Sequence, residues 1–160
     1  MTDFLSGLAA RVAAFTPDET AVARHCFRAL LAGGAARAAT IPEALGLDPA
    51  RVASALAALR RRGSLAVDEA GAVTVARGLS APPTPHRLAV SGAVAYACCA
   101  VDAIGIPAAL FLDARIESRC HECGAPLAVV MRAGAVAQAP PSIVIWAADL
   151  DPERSVREYT

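Results

Sequence analysis

The 160-residue chain contains no lysine. All 15 of its basic residues are arginine, and 15 acids balance them to a formal charge of zero. A protein held on nucleic acid mainly by bulk charge is normally basic, so that mode of action is disfavoured from the start. Aromatic residues are also scarce, at 4%, while 40 alanines help bring the hydrophobic share to 56%. High apolar content with no net charge excludes a disordered chain and points to closely packed, Ala-rich helices. No export signal is expected either. The opening MTDFLSGLAARVAAF carries Asp3 and Arg11 inside an amphipathic pattern, not an uninterrupted apolar core. Cytoplasmic residence with reduced thiols is the expectation, and clustered cysteines in that setting read as metal-binding or catalytic.

A convincing membrane span is likewise lacking. Residues 93–112 form a 20-residue apolar run with Asp102 as its single charge. An acid at the middle of a span costs ~3 kcal/mol on an insertion scale, and Gly105 and Pro107 interrupt the helix. The run is expected to be a buried helix of a soluble protein, with an acid beside two thiols.

What is present suggests an α+β fold in two parts. Apolar residues Phe4, Leu5, Leu8, Val12 and Phe15 recur at helical spacing. Thr16-Pro17 opens a second helix running to about Leu31, closed by Gly33-Gly34. Thr40-Ile41-Pro42-Glu43 opens a short helix, and Asp48-Pro49 a longer one through Arg62, ended by Gly63. Two short strands around Glu69-Ala70-Gly71 follow. This is the element order of a winged helix, assigned to residues 1–79. A Pro-rich linker spans residues 80–86, SAPPTPH. The second unit, residues 80–160, should hold the buried helix and strands at about 113–119, 126–132 and 142–147. In the longer helix, Arg51, Arg60, Arg61 and Arg62 could meet phosphate, but its middle is mostly Ala and Leu, and terminal arginines also suit the helix dipole. Nucleic-acid binding is therefore not expected.

Five cysteines, at 26, 98, 99, 120 and 123, carry the chemistry. Cys99 and Asp102 are three apart, Cys98 and Asp102 four apart. On a helix either spacing puts thiol and carboxyl on one face. Burial should raise the Asp102 pKa and hold a proton available at neutral pH. It should also keep the thiols protonated until a soft metal or a base removes the proton. Two small buried cysteines beside a capping Asp would show the same spacing. Cys120-His121-Glu122-Cys123 is a CxxC turn between strands. With no second pair at finger spacing it is a weak zinc signal, unless the fold brings Cys98 and Cys99 to it as a four-sulfur site. Gly124-Ala125-Pro126 follows the motif in place of a helix, which argues against a thioredoxin-type redox role.

The runs AYACCAVDAIGIPAALF (95–111) and ARIESRCHECGAP (114–126) resemble the organomercurial (alkylmercury) lyases. The matching positions are Tyr96, Cys99, Ala100 and Asp102, followed by Ser118, Cys120 and Gly124-Ala125-Pro126. The resemblance extends over roughly residues 20–160. It implies a winged-helix-like part before a Cys-bearing core, and protonolysis of a carbon–mercury bond to a hydrocarbon and Hg(II). Cys99 would be the attacking thiol and Asp102 the proton shuttle, while Cys120 matches a family cysteine considered structural. No resident cofactor is implied. Hg(II) is held as product and passes to cellular thiols or to mercuric reductase.

The family's second essential cysteine has no counterpart here; its expected place follows the strand and polar lead-in SIVIWAADLDPERSVREYT. A C-terminal truncation, or substitution by Cys98, Cys120 or Cys123 as mercury ligand, would each account for this. Two further functions stay open at this point: a non-enzymatic thiol protein binding mercury, copper or zinc, and a metal-responsive winged-helix DNA-binding regulator.

Overall fold

The computed structural model describes residues 15–145. The helical pattern expected up to residue 14 and the polar lead-in at 149–157 lie outside them. The first described helix, α1 (Pro17–Leu31), begins as the Thr16-Pro17 signal predicts. The Glu19 N–H donates to Thr16 Oγ1 and the Thr16 N–H to Glu19 Oε2, each at 3.2 Å, a reciprocal capping box. A 3-10 turn (Ala38–Thr40) leads into the short α2 (Ile41–Leu45). Then α3 (Pro49–Arg61) is capped by Asp48, whose carboxylate accepts from the Ala50 and Arg51 amides. These helices bury Val22, Cys26, Leu30, Ile41, Val52 and Leu59 in one core. Arg51, a candidate phosphate contact from sequence, instead grips Asp18 with Nε and Nη2 at 2.9 and 2.7 Å.

Among the described residues the strands form one antiparallel sheet of eight: β1 (Leu65–Val67), β2 (Val73–Ala76), β3 (Leu79–Ser80), β4 (His86–Val90), β5 (Ala93–Ala97), β6 (Ala114–Arg119), β7 (Pro126–Arg132) and β8 (Ala135–Gln138). Their spatial order is β1-β2-β3-β5-β4-β6-β7-β8. The β1–β2 hairpin and the second-half strands therefore belong to the same sheet, joined where β3 pairs with β5. The last described helix, α4 (Ala100–Ala109), lies against β4, β5 and β6. There Ala103 shares a second core with Leu88, Val90, Ala97, Ile116 and Met131.

Two expectations need correction. Residues 93–112 are not one helix: 93–97 are β5, and the helix starts only at Ala100. Ala95 and Ala97 point inward while Val94 is exposed, the two-residue alternation of a strand. Ser91 and Gly92, at φ 50° and 82°, connect β4 to β5 with the positive dihedrals of a type I′ hairpin turn. The strand expected at 142–147 is also misplaced. The third strand of that group is β8, reached through a second such turn at Ala133-Gly134 (φ 46° and 79°). Residues 142–145 form no strand, and 146–147 lie outside the described residues.

Candidate active site

Where β5 ends, the chain turns directly into α4, and Cys99 is the residue at the junction. Its backbone is extended (φ −148°, ψ 172°), as an N-cap requires, and its sulfur accepts the Asp102 N–H at 3.4 Å. In return the Cys99 thiol donates to Asp102 Oδ2 at 3.1 Å. Sulfur stands where a serine or threonine oxygen would cap a helix, and the second bond runs from side chain to side chain. The i, i+3 spacing read from sequence thus brings thiol and carboxyl together, through a helix start and not a helix middle. Cys98, half-buried, precedes them, and its N–H donates to Gly78 O at 2.7 Å.

Burial dominates the electrostatics. It pushes the Cys99 thiol up to about 12, with the neighbouring Asp102 charge adding to the rise. Burial also raises Asp102, and the hydrogen bond from Cys99 offsets part of that rise. Both groups therefore favour protonation over their ordinary state, and the short contact lets one proton serve either atom. Such a pair can attack a soft electrophile through sulfur and transfer the displaced proton to the leaving atom.

Gly78, which sequence reasoning did not single out, makes room for the carboxyl. It sits with Arg77 in the β2–β3 turn, at φ 86° and 47°. A Cβ added to Gly78 would fall 2.5 Å from Asp102 Cγ, well inside van der Waals contact. The signal available in sequence was a glycine two residues past the alternating run Val73–Ala76, where a type I′ turn takes positive φ.

A further polar group was missed as well. His86 Nδ1 lies 2.7 Å from Ser118 Oγ, across the β4–β6 pairing that starts at Arg87 opposite Glu117. Thr84 ties this end of β4 to β5, its hydroxyl donating to Ala97 O at 2.6 Å and accepting the His86 N–H at 3.1 Å. Burial lowers the His86 pKa.

Cys120 and Cys123 occupy the β6–β7 turn, as expected. Hydrogen bonds from the backbone of Cys123 and Glu122 and from the Cys123 side chain lower the Cys120 thiol. The four cysteines 98, 99, 120 and 123 do not assemble into one centre: among the described residues no group of three or more His, Cys, Asp or Glu side chains could hold a metal ion. Cys26 lies fully buried in the helical core, its thiol pushed up to about 11 by burial. No described helix is long and apolar enough to cross a membrane.

Comparison with known proteins bears on this arrangement. The family model described as "MerB: Alkylmercury lyase" matches residues 79–160. The alkylmercury lyase of Bacillus cereus is 33% identical over 116 residues, covering 72% of this chain and 52% of the relative. That of Staphylococcus epidermidis is 37% identical over 82 residues, covering 51% and 38%. The solved structure of the mercury-bound form of MerB2 superposes with a TM-score of 0.87 at 25% identity, covering 100% of this chain and 78% of that one. The chain spans about half the length of the curated relatives it matches.

Proposed function

The chain belongs to the alkylmercury lyase family, and on that premise we propose that Cys99 and Asp102 cleave carbon–mercury bonds by protonolysis. The observation that carries this reading is the 3.1 Å thiol–carboxyl contact at the start of α4. An organomercurial R–Hg–X meets the Cys99 sulfur, and the new Hg–S bond makes the thiol strongly acidic. Its proton passes to the adjacent Asp102 oxygen. Electron donation from sulfur weakens the carbon–mercury bond, and Asp102 then delivers the proton to the departing carbon. The balance is R–Hg–X plus Cys–SH giving R–H plus Cys–S–Hg–X, with mercury as Hg(II) throughout. Burial serves both halves: it keeps the proton on the pair until mercury arrives, and it favours return of the Asp102 charge to a neutral acid.

Within this reading, the described residues up to 79 serve as a winged-helix-like unit and those from 80 as part of the lyase core, with β3 (Leu79–Ser80) joining the two in one sheet. Cys98 is a candidate second mercury ligand beside Cys99. Hg(II) leaves to thiols of the cytoplasm or to mercuric reductase. Incubation with phenylmercury and excess thiol, followed by detection of benzene, tests the activity. Well-folded protein that binds mercury tightly yet releases no benzene would refute the enzyme and leave a thiol metal-binding protein.

A further inference from the structure

Cys120 and Cys123 stand apart from the Cys99–Asp102 pair, and their turn is built to present sulfur. The Cys120 N–H donates to Ala125 O and the Gly124 N–H to Cys120 O, each at 2.9 Å. Gly124 at φ 70° allows the chain to reverse. This closed loop carries both cysteines, three positions apart, so their sulfurs belong to one turn. Cysteine sulfur is a soft donor that ligates soft cations. Cys123 is exposed and Cys120 half-buried, so the two-sulfur face opens to solvent. Two donors fall short of the four that structural zinc takes. They suit a soft cation satisfied by two thiolates, and Hg(II) is one.

The sheet places this turn near the reacting pair. Strands β5 and β6 each run antiparallel to β4 and so run parallel to each other. Their C-terminal ends, which lead into Cys98-Cys99 and into Cys120, lie at the same end of the sheet's strands. Only β4 separates them, two strand spacings or about 10 Å.

We propose that Cys120 and Cys123 form a second, two-sulfur site that takes Hg(II) from Cys99 after carbon–mercury cleavage. The transfer rests on the lyase reading above; the capacity of the turn to hold Hg(II) does not. In the transfer two Hg–S bonds form, to Cys120 and Cys123, and the bonds to Cys99 and to the remaining ligand X break. One thiol proton returns to Cys99 and the other leaves with X; nothing is oxidised or reduced.

The test uses the full chain and two measurements. First, Hg(II) is titrated against a competing small thiol, following sulfur-to-mercury absorption, into Cys98→Ser/Cys99→Ser protein and into the same protein also carrying Cys120→Ser/Cys123→Ser. The double variant is expected to take one Hg(II) per chain more than the quadruple variant; equal uptake, with both folded by circular dichroism, overturns the site. Second, the otherwise unaltered chain is given one equivalent of phenylmercury, and its cysteines are mapped by alkylation and mass spectrometry. Release of benzene with Cys120 and Cys123 protected and Cys99 free supports the transfer. Benzene released while Cys99 stays protected and the turn is alkylated overturns it. If no benzene appears, the lyase reading fails and the transfer with it, while the titration still decides the site.

Discussion

Replacing Gly78 by alanine should disable the reacting pair without touching either member of it. The substitution has two separable effects. An L-residue at positive φ is strained by ~1–2 kcal/mol, and Gly78 has φ 86°. The new methyl would also lie 2.5 Å from Asp102 Cγ, so the carboxyl must move and its hydrogen bond with the Cys99 thiol is lost; bonds to charged groups are worth ~1.5–3 kcal/mol. Gly71→Ala supplies the control, because Gly71 has φ 77° but no atom within 4 Å of an added Cβ. Both variants should melt earlier through backbone strain. Only Gly78→Ala should lose benzene release from phenylmercury, by ~10²-fold or more, as expected when a positioned proton donor is removed. The Cys99 thiol should also titrate below about 12 in Gly78→Ala, because the Asp102 charge that helps raise it has moved. Burial, the larger cause, remains, so the fall should be partial. Benzene release and thiol titration both unchanged in Gly78→Ala would refute the positioning argument.

Cys99→Ser should abolish benzene release, whereas Cys26→Ser, in the helical core, should leave turnover standing; an active Cys99→Ser protein would remove Cys99 from the mechanism. Asp102→Asn should slow hydrocarbon release more than mercury capture, measured by rapid quench against mercury uptake, and equal loss of both would mark Asp102 as structural. His86 predicts a pH effect on stability. Its folded pKa lies below the ordinary 6.5 because of burial, so between the two values the unfolded chain binds the extra proton and stability rises with pH. That contribution is complete above about pH 6.5 and falls away as the pH drops toward the folded value. Urea melts at pH 5.5 and 7.5 should therefore differ less in His86→Gln than in the unaltered chain, and an identical difference would refute the assignment.

The parts of the fold legible in sequence were those written in local chemistry. Thr16-Pro17 and Asp48-Pro49 announce α1 and α3 because cap and proline act within one turn. The apolar run at 93–112 misled because alanine fits helix and strand alike, so burial alone could not choose between them. The deciding information was the Ser91-Gly92 dipeptide, which makes β5 the return strand of a hairpin. Ala133-Gly134 would have placed β8 by the same logic. Cys99 and Asp102 were readable as a pair, since they stand three positions apart across a helix start. Gly78 and the His86–Ser118 contact were not, because strand register brings together residues with no local pattern linking them.

The sulfur cap on α4 has a thermodynamic consequence. The atom that would bind mercury also accepts the Asp102 amide proton and anchors the first turn of the helix. Occupying that atom changes how firmly the turn is held, and by linkage the firmness of the turn changes the affinity of the atom. The Asp102 amide is thus a built-in reporter: its hydrogen exchange should respond to each ligand that reaches Cys99, whatever happens next to the carbon.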